Sequence, residues 1–237
     1  MSRPRWARLA VPVLTLAVAG SLTVVLARVP AGAAFVTTTT NGGDSVSAAP
    51  SFCVSPGTTT TLTPPQDDAY IDQANPDTNH YTGKLSVQPG SSVTNAHRAY
   101  IRFTAPGASL PTPPHDCSVT GATLRAYDGT PSAGRQIDVY RVDPTKAWSA
   151  DTITWNNRAT AITTGTNPVS ASNAPASAGW QSWDVTSLVQ AMYAYGPGGD
   201  NGFQIRDHRE ATDTTAYEQV YDDLLSSNPA QLVLTWG

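Results

Sequence analysis

Charged side chains are scarce in this sequence. Asp, Glu, Lys and Arg make up 14% of the 237 residues, and lysine occurs only at Lys84 and Lys146. So few charges argue against a helical cytosolic enzyme. Cysteine is scarcer still, at Cys53 and Cys117. In an exported chain one pair reads as a disulfide rather than a metal or redox site, with two free thiols as the alternative. Closing that loop stabilises the fold by about 4 kcal/mol in the chain-entropy model. There is no internal repeat, no EF-hand spacing and no second long hydrophobic run. Thr, Ser, Gly and Pro are plentiful instead, which suits an extracellular all-β domain.

The hydrophobic run lies at the start. Arg3, Arg5 and Arg8 precede an uncharged stretch from Leu9 to Ala27, and Arg28 and Ala31-Gly32-Ala33 follow. This is the pattern of a signal peptide cleaved at about residue 33. The stretch is also long enough to span a bilayer, so residues 1–33 read as a signal peptide or signal anchor. Either way the remainder is expected outside the cytoplasm, secreted or on the cell surface. Four of the 14 basic residues lie in this leader, leaving 10 against 18 acidic residues, a net of −8. That charge disfavours nucleic acid as a partner. The membrane is a partner only if the leader is retained, and a monomer is expected.

Residues 34–66 form a Thr- and Pro-rich N-terminal segment, with a hairpin signal at Asn41-Gly42. From residue 67 onward, short alternating runs separated by turn signals predict strands. They are Asp67–Asp72, Lys84–Gln88, His97–Phe103, Ala122–Tyr127, Gln136–Val142, Trp180–Val185, Phe203–Arg206 and Gln231–Trp236. Residues 159–179 read as a long connection. Thr186 or Ser187 can cap a short helix whose apolar side is Leu188, Val189 and Met192. The expected fold is an all-β, jelly-roll-like antiparallel β-sandwich with one short helix, over residues 67–237.

The most informative run is His97–Phe103. Ala99, Ile101 and Phe103 share one face, and Arg98, Tyr100 and Arg102 share the other. If Lys84–Gln88 pairs with it, the outer face carries Lys84, Arg98 and Arg102 around Tyr100, with Tyr81 nearby. Cations and an aromatic plate on an acidic protein suit an acidic polysaccharide, since Arg pairs bidentately with sugar carboxylates. Trp148, Trp155, Trp180 and Trp183 are read as structural.

Several motifs occur in a family's order. They include Asp68-Ala69-Tyr70-Ile71-Asp72, Arg98-Ala99-Tyr100-Ile101-Arg102-Phe103, Thr154-Trp155-Asn156-Asn157-Arg158 and Gly202-Phe203-Gln204-Ile205-Arg206. The ordered set resembles the DNRLRE domain, also called carbohydrate-binding module family 96. The resemblance implies a jelly-roll module of an exported or surface protein. Some members bind acidic polysaccharides such as alginate through a basic face near the first strands. Onto this chain that carries over to Lys84 and Arg98. Ser86 and Gln88 stand where a polyanion binder would prefer cations. Tyr221-Asp222-Asp223-Leu224 stands where the family often has an Arg-Glu segment.

No pair of carboxylates is spaced for glycosidase chemistry, so no catalytic residue is assigned. No cofactor is expected, although calcium could gather Asp68 or Asp72 with Asp222 or Asp223. The reading is therefore a non-catalytic polysaccharide-binding module. A structural or adhesive surface protein is the alternative, and a polysaccharide-acting enzyme ranks third.

Overall fold

A computed structural model of the chain describes residues 39–41, 44–46, 52–90, 95–160, 170–210, 212–213 and 217–237. The leader and most of residues 34–51 lie outside the described residues. Ala34–Gly237 forms one compact unit. Near its start, β1 (Thr39–Asn41) pairs antiparallel with β2 (Asp44–Val46), in register Asn41 to Asp44, as the Asn-Gly step predicts.

Two antiparallel sheets make the sandwich. The first contains β3 (Thr59–Leu62), β5 (Leu85–Val87), β7 (Val119–Asp128), β10 (Gly179–Asp184), β12 (Gln219–Tyr221) and β13 (Gln231–Trp236). The second runs in the order β4 (Asp67–Asp72), β6 (His97–Arg102), β11 (Phe203–Asp207), β8 (Gln136–Arg141), β9 (Ser170–Asn173). Strand β7 organises the first sheet, because it pairs with β10, with β13 and, at Asp128, with β12. Its alternation places Ala122, Leu124 and Ala126 in the core, against Ile137, Val139, Ile101 and Phe203 of the other sheet. Trp183, Tyr221 and Trp236 fill the same layer.

Helix α1 (Thr186–Tyr195) buries Leu188, Val189 and Met192. Its start is held differently from the expected cap. The Asp184 carboxylate accepts from the Thr186 N–H at 3.0 Å, while the Thr186 hydroxyl accepts from Ala122 N. The disulfide is formed between Cys53 and Cys117.

Three expectations need correction. The boundary drawn before residue 67 falls inside a sheet, because β3 pairs along β13 as an edge strand. The connection over residues 159–179 contains β9, whose Ser-Ala-Ser-Asn sequence has no apolar alternation to announce it. Strand β5 joins the first sheet through β12, and its backbone run pairs with β6 only at a Gln88–His97 bridge.

Gly202 shows how closely the strands approach. Its φ is +84°, and a Cβ there would lie 2.4 Å from the Ile101 carbonyl oxygen. Gly202→Ala should destabilise the fold by about 1–3 kcal/mol, measured by denaturant titration, because both the backbone conformation and the contact oppose it.

Candidate functional site

Strand β6 alternates as its sequence predicts, yet from Ala99 to Arg102 neither of its faces meets solvent. Ala99, Ile101 and Phe103 enter the inter-sheet core. On the opposite face Tyr100 is 0% and Arg102 is 1% exposed. A strap without regular secondary structure, residues 147–160, lies across this face. Trp148, Ile153 and Trp155 of the strap join Ala69, Ile71, Tyr100 and Val142 in a second hydrophobic cluster.

The strap's sequence explains its conformation. Asn157 accepts from Thr154 N at 2.7 Å and donates to the Thr152 carbonyl at 2.8 Å, closing a local turn. Asn156 donates to Asp77 at 2.8 Å, and Asn79 donates to the carbonyls of Ala150 and Ile153. Trp155 lies between the guanidinium groups of Arg98 and Arg158, at 4.7 and 4.5 Å. Trp148 stacks on Arg102 at 4.6 Å and donates from its indole to the Asn201 carbonyl. Tyr100 donates to the Ala159 carbonyl at 2.8 Å, and burial raises its pKa to about 12. Each buried indole gains on the order of 4 kcal/mol by leaving water, so the strap is part of the core.

The expected ligand-binding residues are therefore dispersed. Arg98 forms a two-pronged pair with Glu210, with its Nε 2.9 and 3.0 Å from the carboxylate oxygens. Arg102 pairs with Asp67. Lys84 lies 3.0 Å from Asp222, with its side chain half exposed, and Tyr81 is exposed. The continuous basic face expected from Lys84, Arg98, Tyr100 and Arg102 does not form, because Trp148 and Trp155 cover its centre and carboxylates neutralise its cations.

An open polar pocket lies at the end of the second sheet instead, where β8 begins and β11 ends. Its volume is about 450 Å³, and its lining includes Arg135, Gln136, Asn173, His208, Arg209 and Tyr217. Arg135 anchors it. Its Nε and Nη2 each reach Asp207 at 2.6 Å, and its Nη1 reaches Asp213 at 2.5 Å. The same guanidinium lies 4.8 Å from the centre of the Tyr217 ring, which stays 39% exposed. Gln136 donates to Asp138 at 3.0 Å, and His208 Nδ1 lies 2.8 Å from the same carboxylate. Ser132 N donates to the buried Gln219 at 2.9 Å, which fixes the loop at the pocket's edge. The result is an aromatic ring beside amide and hydroxyl groups in a wet concavity, which can hydrogen-bond and stack on a polyhydroxylated ligand.

The model of carbohydrate-binding module family 96 matches residues 58–235. The chain belongs to that family. A search of curated proteins finds no match. In this family-96 chain the match includes β3, in keeping with the place of that strand in the sheet. Sequence reasoning missed the pocket because its residues come from four separate stretches. Asp207-His208-Arg209-Glu210 shows only alternating charge in the sequence, whereas its acids pair with the distant Arg135 and Arg98.

The carboxylates considered for calcium have separate partners. Asp72 accepts from Asn75 and Ala74, Asp222 meets Lys84 and Asn228, and Asp223 accepts from Ser226. Asp68 accepts from Leu224 N at 2.7 Å. Among the described residues, no three His, Cys, Asp or Glu side chains gather as a metal-binding group. Ser86, His97 and Asp72 have the residue types of a hydrolytic triad, with Ser86 Oγ 2.7 Å from His97 Nδ1 and Asp72 3.3 Å from His97 Nε2. The Ser86 hydroxyl, however, is buried and donates to Glu218 at 2.6 Å. Burial also pushes the His97 pKa down. The cluster works as a tie between β4, β5 and β6.

Burial lifts the Asp68 pKa to about 7, aided by the nearby charges of Asp223 and Asp67. An acid with a raised folded-state pKa stabilises fully below its unfolded value, about 3.9, and loses that contribution as pH rises through the folded value. Chemical unfolding of Asp68→Asn should therefore show a flatter stability profile between pH 4 and 7 than the parent protein. An unchanged profile would contradict this assignment.

Proposed function

We propose that this protein is an exported, non-catalytic polysaccharide-binding module that works outside the cell, as a monomer. Family membership over residues 58–235 carries this reading. Two further features support it: the open pocket beside Tyr217, and the burial of the Ser86 hydroxyl in the Ser86-His97-Asp72 cluster. Export follows from the leader pattern, Arg3 to Ala33, and retention of that leader would make the module membrane-anchored.

An acidic glycan is the ligand class first suggested by the cations of the chain. Two features still favour it, the half-exposed Lys84 near Tyr81 and the exposed Arg209 at the pocket rim. A carboxylated sugar drawn by these charges would bind more weakly as salt rises.

Affinity electrophoresis tests the reading in gels containing alginate, pectin, β-glucan, mannan or xylan. A binding module migrates more slowly in at least one of them, and the glycan is recovered at full length. Unchanged mobility in every gel favours a structural or adhesive surface protein. Shortened glycan chains would point to an enzyme.

A further inference from the structure

We propose that Arg158 and Arg206 form an anion subsite at the edge of the strap, which holds a carboxylate or sulfate of an acidic glycan. This rests on the polysaccharide-binding reading and names the site of its charged group.

Strand pairing brings cations together here. Gln204 pairs with Tyr100 and Ile205 with Ala99, which sets Arg206 of β11 beside Arg98 of β6 on the outer face. Like charges side by side on a sheet repel, which costs stability unless an anion sits with them. Arg158 of the strap is the third cation, on the same Trp155 ring as Arg98. All three charges bear on the buried Tyr100 hydroxyl and work against the pKa rise that burial causes. Burial, and then the charge of Arg98, push the Arg158 pKa down.

The carboxylates at hand are already engaged. Glu210 accepts from both Nε and Nη2 of Arg98. Asp138, opposite Arg206 in the ladder, meets Gln136, Tyr140 and His208. Arg98, Arg158 and Arg206 against Glu210 and Asp138 leave a balance of +1, to which His208 can only add. Among the described residues, no carboxylate forms an ion pair with Arg158 or Arg206. The stretches of the sandwich outside the described residues, 91–94, 161–169, 211 and 214–216, contain no Asp or Glu.

Both arginines are half-buried and keep donors to spare. Arg158 donates to the Trp155 carbonyl. Arg206 lies 3.7 Å from the centre of the Tyr140 ring, and its buried Nε has no hydrogen-bond partner among the described residues. Guanidinium forks match a carboxylate or sulfate edge. From Tyr140 the outward row of β8 runs through Asp138 to Gln136, a span of about 13 Å. Gln136 lines the open pocket together with Arg209 and Tyr217. A glycan held at Arg158 and Arg206 therefore continues along β8 into that pocket.

Affinity electrophoresis of the full chain, at several concentrations of alginate, pectin, carrageenan or β-glucan, tests the subsite. The parent protein should be retarded in an acidic glycan, and less so as salt rises. Alginate and pectin offer carboxylates and carrageenan offers sulfates, so the gels separate the two groups. Arg158→Gln and Arg206→Gln should each bind roughly tenfold more weakly. Arg125→Gln removes an equal charge beside Trp180, on the first sheet, and should bind like the parent. Where Arg206→Gln does not fold by circular dichroism, Arg206→Lys keeps the charge without the fork and should still bind several-fold more weakly.

Acidic-glycan binding that both glutamine variants retain overturns the subsite while the polysaccharide reading stands. Equal weakening in Arg125→Gln reduces the effect to net charge and overturns it too. Retardation in β-glucan alone overturns the anion assignment. If the parent protein is retarded in no gel, the polysaccharide reading fails, and this inference fails with it.

Discussion

Two arginines buried beneath two tryptophans set the form of this molecule. Arg102 under Trp148 carries charge into a place that water does not reach, and Arg98 under Trp155 is largely covered. Such groups are costly to bury alone, and each has a carboxylate, Asp67 or Glu210, that removes the isolated charge. The indoles then cover both guanidinium faces and seal the outer side of the second sheet over β6. The sandwich accordingly has a third, partial layer, with hydrophobic residues on both faces of β6.

This covering layer removes the face of β6 from the surface. A sheet face that would present Arg98, Tyr100 and Arg102 to a ligand is part of the interior. Arg98 instead pairs with Glu210, the neighbour of Arg209 at an open polar pocket that Tyr217 also lines. The segment Thr154-Trp155-Asn156-Asn157-Arg158, one of the motifs that carry the family resemblance, has a structural explanation on this account. Its asparagines close the turn and tie it to Asp77, and its tryptophan lies between two arginines.

The period-two runs were legible because burial on the core side of each strand demands alternation. Ala122, Leu124 and Ala126 in β7, or Ile137 and Val139 in β8, could be placed inward from the sequence alone. Strand β9 could not, since Ser-Ala-Ser-Asn is held by an edge pairing with β8 and carries no apolar signal. Nor could the fate of the β6 outer face be read. Alternation says that Tyr100 and Ile101 point opposite ways, but not that a segment some fifty residues later returns to cover Tyr100. The pocket was invisible for a related reason, since it depends on pairings such as Arg135 with Asp207 that link distant stretches.

The sealed face is the central claim, and hydroxyl-radical footprinting read by mass spectrometry tests it most directly. The protein would be labelled alone and with each glycan that retards it. The account predicts slow oxidation of Tyr100 and Trp155 in both states, with rapid oxidation of Tyr217 that the glycan suppresses. Rapid oxidation of Tyr100 in the free protein, or its protection by a glycan, would contradict the account and return the ligand to the face of β6.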